Sequence, residues 1–506
     1  MNKQDLAYWQ QQAQSLTIEG RAFINGDYVG AANKETFACI SPIDGRTLTN
    51  IALCTQTEAD FAVDCARQVF EQGTWSKTTP VKRKAIMLKF ADLIEQHGDE
   101  LALLETLDMG KPISDALNVD IPGALRSIRW SAEAVDKIYD EVAPTGDNEL
   151  GLVTREAVGV VAAIVPWNFP LVMASWKIAP ALVSGNSVIL KPSEKSPLTA
   201  IKLAALAKEA GIPDGVFNVL PGFGHQVGKA LALHNDIDTL VFTGSTAVAK
   251  QLLICAGESN MKRVWTEAGG KSPNIVFADA PNLDKAAQAA AGAICFNQGE
   301  VCTAGSRLLV EESIKDAFIE KVKAAMQYWQ VGNPLDPNTT VGAIVDEIQH
   351  KRVLGYINKG QEENANLCCG GEQTQAVEGG FYIQPTMFSH VENTMAIASE
   401  EIFGPVLSVI SFTDMEDAIR IANDTPYGLA AGIWTTDLSK AHKMAKAVRA
   451  GSVWVNQWDG GDMTAPFGGF KQSGNGRDKS LHAFNKYTEV KATWIKLQYK
   501  QPPYRK

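Results

Sequence analysis

Cysteine is scarce in this sequence and is not arranged to form disulfides or to bind zinc. Eight cysteines are spread over 506 residues, and no Cys-x-x-Cys pair occurs among them. So few cysteines in so long a chain do not look like a disulfide framework, and a structural zinc site has no support. We therefore expect a protein with reduced cysteines and no bound metal.

Long apolar segments are also missing. The longest apolar run covers residues 157–166, which is too short to span a bilayer. The polar residues 1–14 lack the basic start and apolar core of a signal peptide. We expect a soluble, cytoplasmic protein that has no membrane partner.

Positive charge is in deficit, which argues against a nucleic-acid partner. The chain has 47 basic and 57 acidic residues, for a formal net charge of −10. A general nucleic-acid binder is expected to be basic, whereas an acidic protein suits a cationic small substrate. Hydrophobic residues make up 45% of the chain, as in ordinary globular proteins, and the length predicts two or three domains.

Helix-like and strand-like segments alternate from about residue 56 onward. Helices are predicted at residues 58–70, 82–98, 198–210 and 226–233. Buried strands are predicted at residues 158–165, 187–191, 216–220 and 239–243, and in a second block at 274–277 and 307–311. Such alternation predicts βαβ units and parallel sheets. Because the two blocks meet near residue 270, we predict a cleft there.

Two glycine-containing turns follow predicted strands and are candidates for binding phosphate. Gly244 and Ser245 open a predicted helix, whose free N–H groups and dipole attract anions. Gly224 and Gly228 belong to a glycine-rich turn whose spacing is one residue longer than the usual dinucleotide fingerprint. Ordinary βα turns with glycine caps explain each motif equally well.

Lys191-Pro192-Ser193-Glu194 lies at the end of a predicted strand. A carboxylate in that position can bind a ribose diol, and a nearby lysine can reach the same diol or a phosphate. Taken alone, the tetrapeptide is more often a solvated turn with an incidental charge pair.

Cys302 and Glu267 are candidates for covalent catalysis. An accessible, activated cysteine can be a nucleophile, and a nearby carboxylate can activate water. Spacing alone does not show that the two residues meet. Most cysteines are buried and inert, and Cys295, on an apolar helix, fits that description.

Asn168 and Glu401 stand in two further loop motifs. Asn168, between Pro166 and Pro170, can present its amide N–H to an oxyanion, although an asparagine in a proline-bounded turn is the commoner case. The same ambiguity applies to Glu401, in the segment Glu-Ile-Phe-Gly-Pro.

Taken together, these motifs resemble the aldehyde dehydrogenase superfamily, and they occur in its order. They are PWNFP (166–170), KPSE (191–194), FTGS (242–245), EAGGKS (267–272), NQGEVC (297–302), EEIFGP (400–405) and PFGGFKQSGNGR (466–477). The resemblance covers residues 6–496. It is strongest to members that oxidise γ-glutamyl-γ-aminobutyraldehyde in putrescine breakdown. That likeness rests on LAYWQ (6–10), FING (23–26), DGGDMT (459–464) and SGNGRDKSLH (473–482).

The resemblance implies an α/β fold with a Rossmann-type cofactor domain, an α/β catalytic domain and a β bridging arm. The cofactor domain is expected at residues 1–138 and 160–270, and the catalytic domain at 271–480. The arm is expected at residues 139–159 and 487–497. Because such arms pair edge strands between subunits, the resemblance also implies a homodimer or homotetramer.

The resemblance also assigns roles in NAD(P)-dependent oxidation of an aminoaldehyde to the carboxylic acid. Cys302 would attack the aldehyde carbon, while the Asn168 amide and the Cys302 backbone N–H would hold the oxyanion. Loss of hydride from the thiohemiacetal would leave a thioester, and Glu267 would activate the water that hydrolyses it.

Further residues are expected to contact the cofactor or the substrate. For the cofactor they are Val165, Trp167, Lys191, Ser193, Glu194, Gly224, Gly228, Phe242, Gly244, Ser245, Glu401 and Phe403. For the substrate they are Phe169, Trp176, Trp458, Asp459, Asp462 and Phe467. Glu194 favours NAD over NADP, because a 2′-phosphate would meet a carboxylate there. Asp120 is also expected to face the substrate entrance.

Three departures from the family pattern and two alternatives accompany this interpretation. Val301 and Thr303 flank the nucleophile Cys302, where they can shape the pocket. Ala249 replaces a common glycine, and Asp478 replaces a common glutamate whose proposed proton relay is doubtful for a shorter side chain. The first alternative is a broad-specificity or betaine-type aldehyde dehydrogenase. The second is a non-catalytic scaffold protein, which the joint presence of Cys302, Glu267 and Asn168 disfavours.

Overall fold

A computed structural model describes residues 5–498 of the chain. The first four residues of the polar N-terminal stretch, and residues 499–506 of the tail beyond the family resemblance, lie outside this range. Across residues 5–498, none of the helices combines the length and the apolar character needed to cross a membrane.

The described chain forms the following helices and strands. The α-helices are α1 (Leu6–Ser15), α2 (Gln56–Gln72), α3 (Pro80–Gln96), α4 (Gly98–Met109), α5 (Ile113–Asp115), α6 (Ile121–Ala134), α7 (Pro170–Val183), α8 (Leu198–Ala210), α9 (Lys229–Leu233), α10 (Thr246–Glu258), α11 (Leu283–Cys295), α12 (Lys315–Met326), α13 (Glu347–Glu362), α14 (Ala396–Ser399), α15 (Met415–Asn423) and α16 (Leu438–Ala447). The strands are β1 (Ala22–Ile24), β2 (Asp27–Val29), β3 (Thr36–Ile40), β4 (Thr47–Ala52), β5 (Glu141–Ala143), β6 (Glu149–Ala157), β7 (Val160–Ile164), β8 (Ser187–Lys191), β9 (Phe217–Val219), β10 (Thr239–Thr243), β11 (Arg263–Glu267), β12 (Pro273–Val276), β13 (Arg307–Glu311), β14 (Asn366–Cys369), β15 (Gln373–Thr374), β16 (Tyr382–Ile383), β17 (Thr386–Ser389), β18 (Val406–Phe412), β19 (Ala430–Trp434), β20 (Ser452–Val455) and β21 (Thr488–Lys496).

The first sheet has the strand order β11-β10-β7-β8-β9-β1-β2. Strands β7 to β11 are parallel to one another, whereas β1 pairs antiparallel with β9 and β2. Every residue of β7 is buried, because successive side chains enter two different cores. Val161 packs in a core with α3, α4, α6, α7 and α8, and Ala162 in a core with α2, α9 and α10. A strand covered on both faces requires such a continuous apolar run.

The second sheet has the order β14-β17-β18-β13-β12-β19-β20 and is parallel except for β14. Helices cover both of its faces. Ile275 packs in a core with α13, α15 and α16, while Val276 packs in a core with α11 and α12. The chain crosses from the first sheet to the second between Glu267, at the end of β11, and Pro273, at the start of β12.

An arm of β21, β6 and β5 stands apart from both sheets. Its strands are antiparallel, and β21 pairs with β6 from Thr488↔Ala157 to Lys496↔Glu149. Val142, Val490 and Trp494 on this arm are exposed, at 68%, 60% and 64% of their surfaces. The two helix-covered sheets and the β arm are the α/β architecture that the sequence predicts.

Candidate active site

The residues predicted to bind the cofactor lie mostly along one edge of the first sheet. Strands β7, β8, β9 and β10 are parallel, so their carboxyl ends meet at that edge. The residues at or just after these ends are Val165 and Trp167 (β7), Lys191, Ser193 and Glu194 (β8), Gly224 and Gly228 (β9), and Phe242, Gly244 and Ser245 (β10). Open α/β sheets bind ligands at this edge.

Lys191 and Glu194 form an ion pair at the end of β8. The Lys191 Nζ lies 3.1 Å from Glu194 Oε2, and Lys191 is buried. Burial lowers the pKa of Lys191, which the charge of Glu194 opposes. Burial alone would raise the pKa of Glu194, but the charge of Lys191, hydrogen bonds to the carboxylate and the charge of Lys195 together lower it. An ammonium and a carboxylate at one strand end are a donor–acceptor set that fits a ribose diol.

The two predicted phosphate turns have different shapes. Gly224 and Gly228 bound a π-helical turn, and a Cβ atom added to either would meet no atom within 4 Å. A Cβ on Gly244 would lie 2.5 Å from the Phe242 ring, so this position needs glycine. Ser245 caps α10 by accepting from the Val248 N–H at 3.3 Å. The open turn and the start of α10 both fit a pyrophosphate.

The segment before Cys302 has a strained backbone. Asn297, Gln298 and Gly299 have φ values of 48°, 57° and 71°, in the left-handed region that non-glycine residues rarely adopt. A Cβ on Gly299 would lie 2.3 Å from the Gly404 carbonyl group. The strained turn ends α11 abruptly and leads the chain to Cys302. Strain of this kind is concentrated at functional sites.

Cys302 and Glu401 pack against Gly269 and Gly270, in the segment that connects the two sheets. The Gly270 N–H donates to Glu401 Oε1 at 3.0 Å, and a Cβ on Gly270 would lie 2.8 Å from the Cys302 carbonyl oxygen. A Cβ on Gly269 would lie 2.0 Å from Glu401 Oε2. A side chain at Gly270 would therefore meet backbone, and one at Gly269 would displace the Glu401 carboxylate. The cleft predicted near residue 270 is therefore where these two predicted site residues meet.

The Cys302 thiol is held in its protonated form. Burial raises its pKa to about 12, and the charges of Glu401, Asp459 and Glu267 add to the effect. The thiol proton must therefore leave when the sulfur bonds to a substrate. Cys295, the last residue of α11, is fully buried in an apolar core, as we expect of an inert cysteine.

Glu267 is a buried carboxyl at the end of β11. Only 2% of its surface is exposed, and neither carboxylate oxygen has a hydrogen-bond partner among residues 5–498. Burial raises its pKa well above the ordinary value, and the charge of Asp478 adds to this, while Lys177 and Lys486 oppose it. A carboxyl with a raised pKa can take a proton near neutral pH, as a general base must.

Asn168 is tied to the segment that precedes Cys302. It is 3% exposed, and its Nδ2 donates to the Glu300 carbonyl at 2.8 Å. The Asn297 Nδ2 donates to the carbonyls of Asn168 and Glu300, at 3.1 and 3.2 Å. An amide nitrogen has two hydrogens, so Asn168 retains one for another acceptor.

Phe403 and Trp167 come together between the two sheets. Their rings are T-shaped, with centroids 5.1 Å apart. Phe403 has a φ of 60°, and Gln349 Nε2 holds this turn by donating to the Ile402 and Phe403 carbonyls at 3.0 and 2.7 Å. The structure thus joins residues from two of the predicted cofactor motifs.

Asp478 is neutralised by two buried lysines that the sequence analysis missed. Its Oδ2 accepts from Lys177 at 2.5 Å, and its Oδ1 accepts from Lys486. Burial would raise the pKa of Asp478, but the two lysines outweigh this and lower it. Lys177 is a single charge within the apolar helix α7, which is a signal that the sequence does contain.

Replacing Asp478 by Asn should destabilise the fold, because two buried ammonium groups would lose their counter-charge. The expected loss in unfolding free energy is about 3 kcal/mol. Chemical denaturation followed by tryptophan fluorescence measures it. Asp284→Asn, which breaks an exposed pair with Lys321, is the control and should cost less than about 1 kcal/mol. Equal losses of unfolding free energy in the two variants would contradict the role of Asp478 as the counter-charge of the two lysines.

A cavity of about 630 Å³ leads to Cys302. Of the predicted substrate residues, Phe169, Trp176, Asp459, Asp462 and Phe467 line it. The rings of Trp176 and Phe467 lie 5.2 Å apart and form one wall. Val301 and Thr303, which flank Cys302, also line it, and among the wall residues that the sequence did not predict are Arg126, Trp454 and Lys479.

Two expectations about the cavity need correction. Asp120 does not face the entrance, since it is 1% exposed and pairs with the buried Lys111 at 2.8 Å. Trp458 does not line the cavity. A Cβ on Gly305 or Gly432 would lie 3.1 or 2.7 Å from its indole, so the ring packs on the second sheet. Trp454, whose ring lies 5.1 Å from that of Trp458, lines the cavity instead.

The two acidic groups in the cavity wall differ in their surroundings. Asp459 has a left-handed φ of 55°, and desolvation of its carboxyl raises its pKa, which the charge of Lys479 opposes. Asp462 is exposed and accepts from the Thr464 N–H and hydroxyl, which lowers its pKa. Both are suited to attract a cationic group.

Comparison with known proteins gives a family match over most of the chain. The model of the aldehyde dehydrogenase family matches residues 28–493. The NADP/NAD-dependent aldehyde dehydrogenase PuuC of Escherichia coli is 57% identical over 498 residues, which cover 98% of this chain and 100% of PuuC.

Solved structures agree with the family match. A mutant of the Pseudomonas syringae indole-3-acetaldehyde dehydrogenase AldA, in complex with NAD+ and IAA, is 68% identical. Its TM-score is 0.97, with 97% of this chain and 100% of that chain covered. The γ-glutamyl-γ-aminobutyraldehyde dehydrogenase of Burkholderia cenocepacia is 60% identical. Its TM-score is 0.96, with 98% and 100% covered.

Proposed function

The chain belongs to the aldehyde dehydrogenase family, and we propose that it oxidises an aminoaldehyde, γ-glutamyl-γ-aminobutyraldehyde in particular, to the carboxylic acid with NAD+ or NADP+. The observation that carries the proposal is the position of Cys302. It lies at a cavity of about 630 Å³ and against Gly270, in the segment that connects the two sheets. A pocket of that size fits a small organic substrate.

Cys302 is the proposed nucleophile. Its sulfur bonds to the aldehyde carbon, the S–H bond breaks and its proton passes to solvent water, and the carbonyl oxygen becomes an oxyanion. The remaining Asn168 amide hydrogen and the Cys302 backbone N–H stabilise that charge, which is the kind of preorganised donor that lowers such barriers. Burial of Asn168 and its bond to Glu300 hold the donor in place without reorganisation.

Glu267 is the proposed general base for the second half of the reaction. Oxidation leaves a thioester on Cys302, and water must lose a proton as it attacks this thioester. Glu267 is supported in this role by its burial, its unpartnered oxygens and its raised pKa. A base for water favours hydrolysis over transfer of the acyl group to a thiol such as coenzyme A.

The residues at the first sheet edge fit NAD, and in this proposal two groups of them hold it together with a third group from the loop before β18. Lys191, Ser193 and Glu194 bind the adenosine ribose, and Ser245 lies against the pyrophosphate. Glu401, with Phe403 beside it, holds the nicotinamide ribose. When bound, the nicotinamide accepts the hydride that leaves the substrate carbon. Glu194 favours NAD over NADP, because a 2′-phosphate would be repelled by its carboxylate.

Asp459 and Asp462 are proposed to attract the ammonium group of the substrate. Asp459→Asn should raise KM for 3-aminopropanal about fivefold and leave KM for propanal unchanged, because only the first aldehyde is charged. Asp462→Asn should act in the same direction. The kcat values should change less, since the lost contact is distant from the reacting carbon.

Steady-state kinetics at low and high salt measure the effect of these acidic groups. Added salt should weaken the wild-type preference for the charged aldehyde, because exposed charges are screened. Equal KM changes for charged and neutral aldehydes would mean that the loop only shapes the cavity.

An arylacetaldehyde is a second candidate substrate. The observation that favours it is the aromatic wall of Phe169, Trp176 and Phe467, together with the 68% identity to an indole-3-acetaldehyde dehydrogenase. Flat aromatic groups pack well on such walls. NADH formation with a panel of amino-, aryl- and simple aliphatic aldehydes, compared by kcat/KM, decides between the two. The main proposal fails if aryl substrates exceed aminoaldehydes.

The β arm is proposed to join subunits in a homodimer or homotetramer. Its exposed strand β21 and exposed apolar side chains support this, because unpaired edges and apolar patches are commonly covered by a partner. We keep the predicted units, with the cofactor domain at 1–138 and 160–270, the catalytic domain at 271–480 and the arm at 139–159 and 487–497. The cytoplasmic location stays a prediction.

A further inference from the structure

The cavity that leads to Cys302 contains two positive groups that the proposed reaction does not use. Arg126, on α6, and Lys479 both line it. Neither side chain makes a hydrogen bond or an ion pair with another residue of the range 5–498. Arg129, one helical turn later on α6, is by contrast paired with Asp92 and Glu95 at 3.0 and 2.6 Å.

Lys479 is directed into the cavity by an unusual backbone. Lys479 and Ser480 have φ values of 58° and 49°, both left-handed. The preceding residue, Asp478, is buried with its two lysines, so the chain must turn sharply between a buried carboxylate and the cavity. A non-glycine residue in the left-handed region costs free energy. Such strained residues are concentrated at functional sites.

The Lys479 ammonium is poorly solvated where it lies. Its Nζ is 4.6 Å from the centroid of the Trp176 ring and 5.5 Å from that of Phe467. Burial lowers its pKa, the charges of Asp459 and Asp478 oppose this effect, and the charge of Arg126 lowers the pKa further. Two cations that act on each other and have no anion in hydrogen-bond contact are a site for an anionic group.

We propose that Arg126 and Lys479 bind a carboxylate on the end of the substrate distant from the aldehyde. Together with Asp459 and Asp462, they give the cavity two groups of each sign, which match an α-amino acid group with its ammonium and carboxylate. The substrate class is thus an ω-aldehyde that ends in an amino acid zwitterion. This inference rests on the proposed function, and γ-glutamyl-γ-aminobutyraldehyde belongs to this class.

A matched pair of substrates tests the carboxylate directly. The pair is γ-glutamyl-γ-aminobutyraldehyde and its α-carboxamide analogue, which retains the length and the ammonium group but has no negative charge. The wild-type KM should be about tenfold lower for the carboxylate, the effect of one charge-assisted hydrogen bond. Butanal and 3-aminopropanal serve as neutral and cationic references.

Variants of the two cations complete the test. Lys479→Met and Arg126→Met should each raise KM for the carboxylate substrate about tenfold, bring it close to that of the carboxamide, and leave KM for butanal unchanged. Lys479→Arg should restore most of the preference, which separates lost charge from a disturbed turn. Arg129→Met, whose side chain is already paired, should behave as wild type.

The outcomes separate this inference from the proposed function. The inference fails if the wild type does not distinguish carboxylate from carboxamide. It also fails if the Met variants change KM for 3-aminopropanal alone, because Lys479 would then only neutralise Asp459. The proposed function itself fails if the wild type forms no NADH or NADPH with any of the four aldehydes.

Discussion

Cys302→Ser should lose aldehyde oxidation while it retains the fold and the binding of NAD+. A hydroxyl is a much weaker nucleophile than a thiol at neutral pH, so kcat should fall by roughly 10⁴-fold, as when a covalent nucleophile is removed from other enzymes. The cavity and the packing of residue 302 against Gly270 should be preserved, since serine is slightly smaller than cysteine. NADH formation measures the rate, and tryptophan fluorescence quenching measures NAD+ binding.

Cys295→Ala is the matched control for that variant. Cys295 lies seven residues earlier, at the end of α11, and is fully buried in an apolar core, so its replacement removes only a small apolar group. Its cost should appear in stability, at about 1 kcal/mol, and not in kcat. If Cys302→Ser retained most of the activity, or if Cys295→Ala abolished it, the assignment of the nucleophile would be wrong.

Glu267→Gln should stall the enzyme after the hydride has been transferred. Gln preserves the shape of the side chain and removes the base, so thioester hydrolysis should slow by about 10³-fold. Rapid mixing with saturating aldehyde and NAD+ should give a burst of NADH close to one per active site. A slow steady state should follow the burst. A variant with the wild-type steady-state rate and no burst would contradict the role.

The pH dependence provides a second test of Glu267. Because burial raises its pKa above the ordinary value, the carboxyl becomes an active base only as the pH rises through that raised pKa. Wild-type deacylation should therefore accelerate with increasing pH, and at low pH the wild type should show the same burst as the variant. In Glu267→Gln this pH dependence of the slow phase should be absent.

Much of the fold could be predicted because several segments have one clear pattern. The predicted strands at 187–191, 239–243 and 307–311 coincide with β8, β10 and β13. Their apolar, often branched residues are buried on both faces, so tertiary packing and local preference agree. The helix at 198–210 coincides with α8 and ends at Gly211, whose φ is 107°.

Other elements could not be predicted, because their structure depends on more than the local sequence pattern. The helix predicted at 226–233 begins instead with the π-helical turn Gly224–Gly228, because glycines carry no side-chain periodicity. The segment 98–134 was not predicted as helical, because its first helix, α4, lacks a clear apolar stripe. Every residue of α4 from Leu101 to Met109 is buried, so this part of its sequence shows no amphipathic face.

The order of the motifs predicted which residues form the site. It could not predict which of those residues lie in contact with one another. Nothing in the spacing of Glu267 and Cys302 shows that both lie near Glu401, which is more than 90 residues further along the chain. That contact depends on the close approach allowed by Gly269 and Gly270. Asp120 was placed wrongly for a similar reason. Its partner Lys111 is fully buried, and a buried lysine is not apparent in a short sequence window.

Mass spectrometry of the Glu267→Gln variant after mixing with γ-glutamyl-γ-aminobutyraldehyde and NAD+ tests the central claim most directly. The account predicts a covalent adduct on the peptide that contains Cys302. Its added mass should equal that of the aldehyde less two hydrogens, because a thioester forms as the aldehyde is oxidised. An unmodified Cys302 after the NADH burst, or an adduct on another of the eight cysteines, would contradict it.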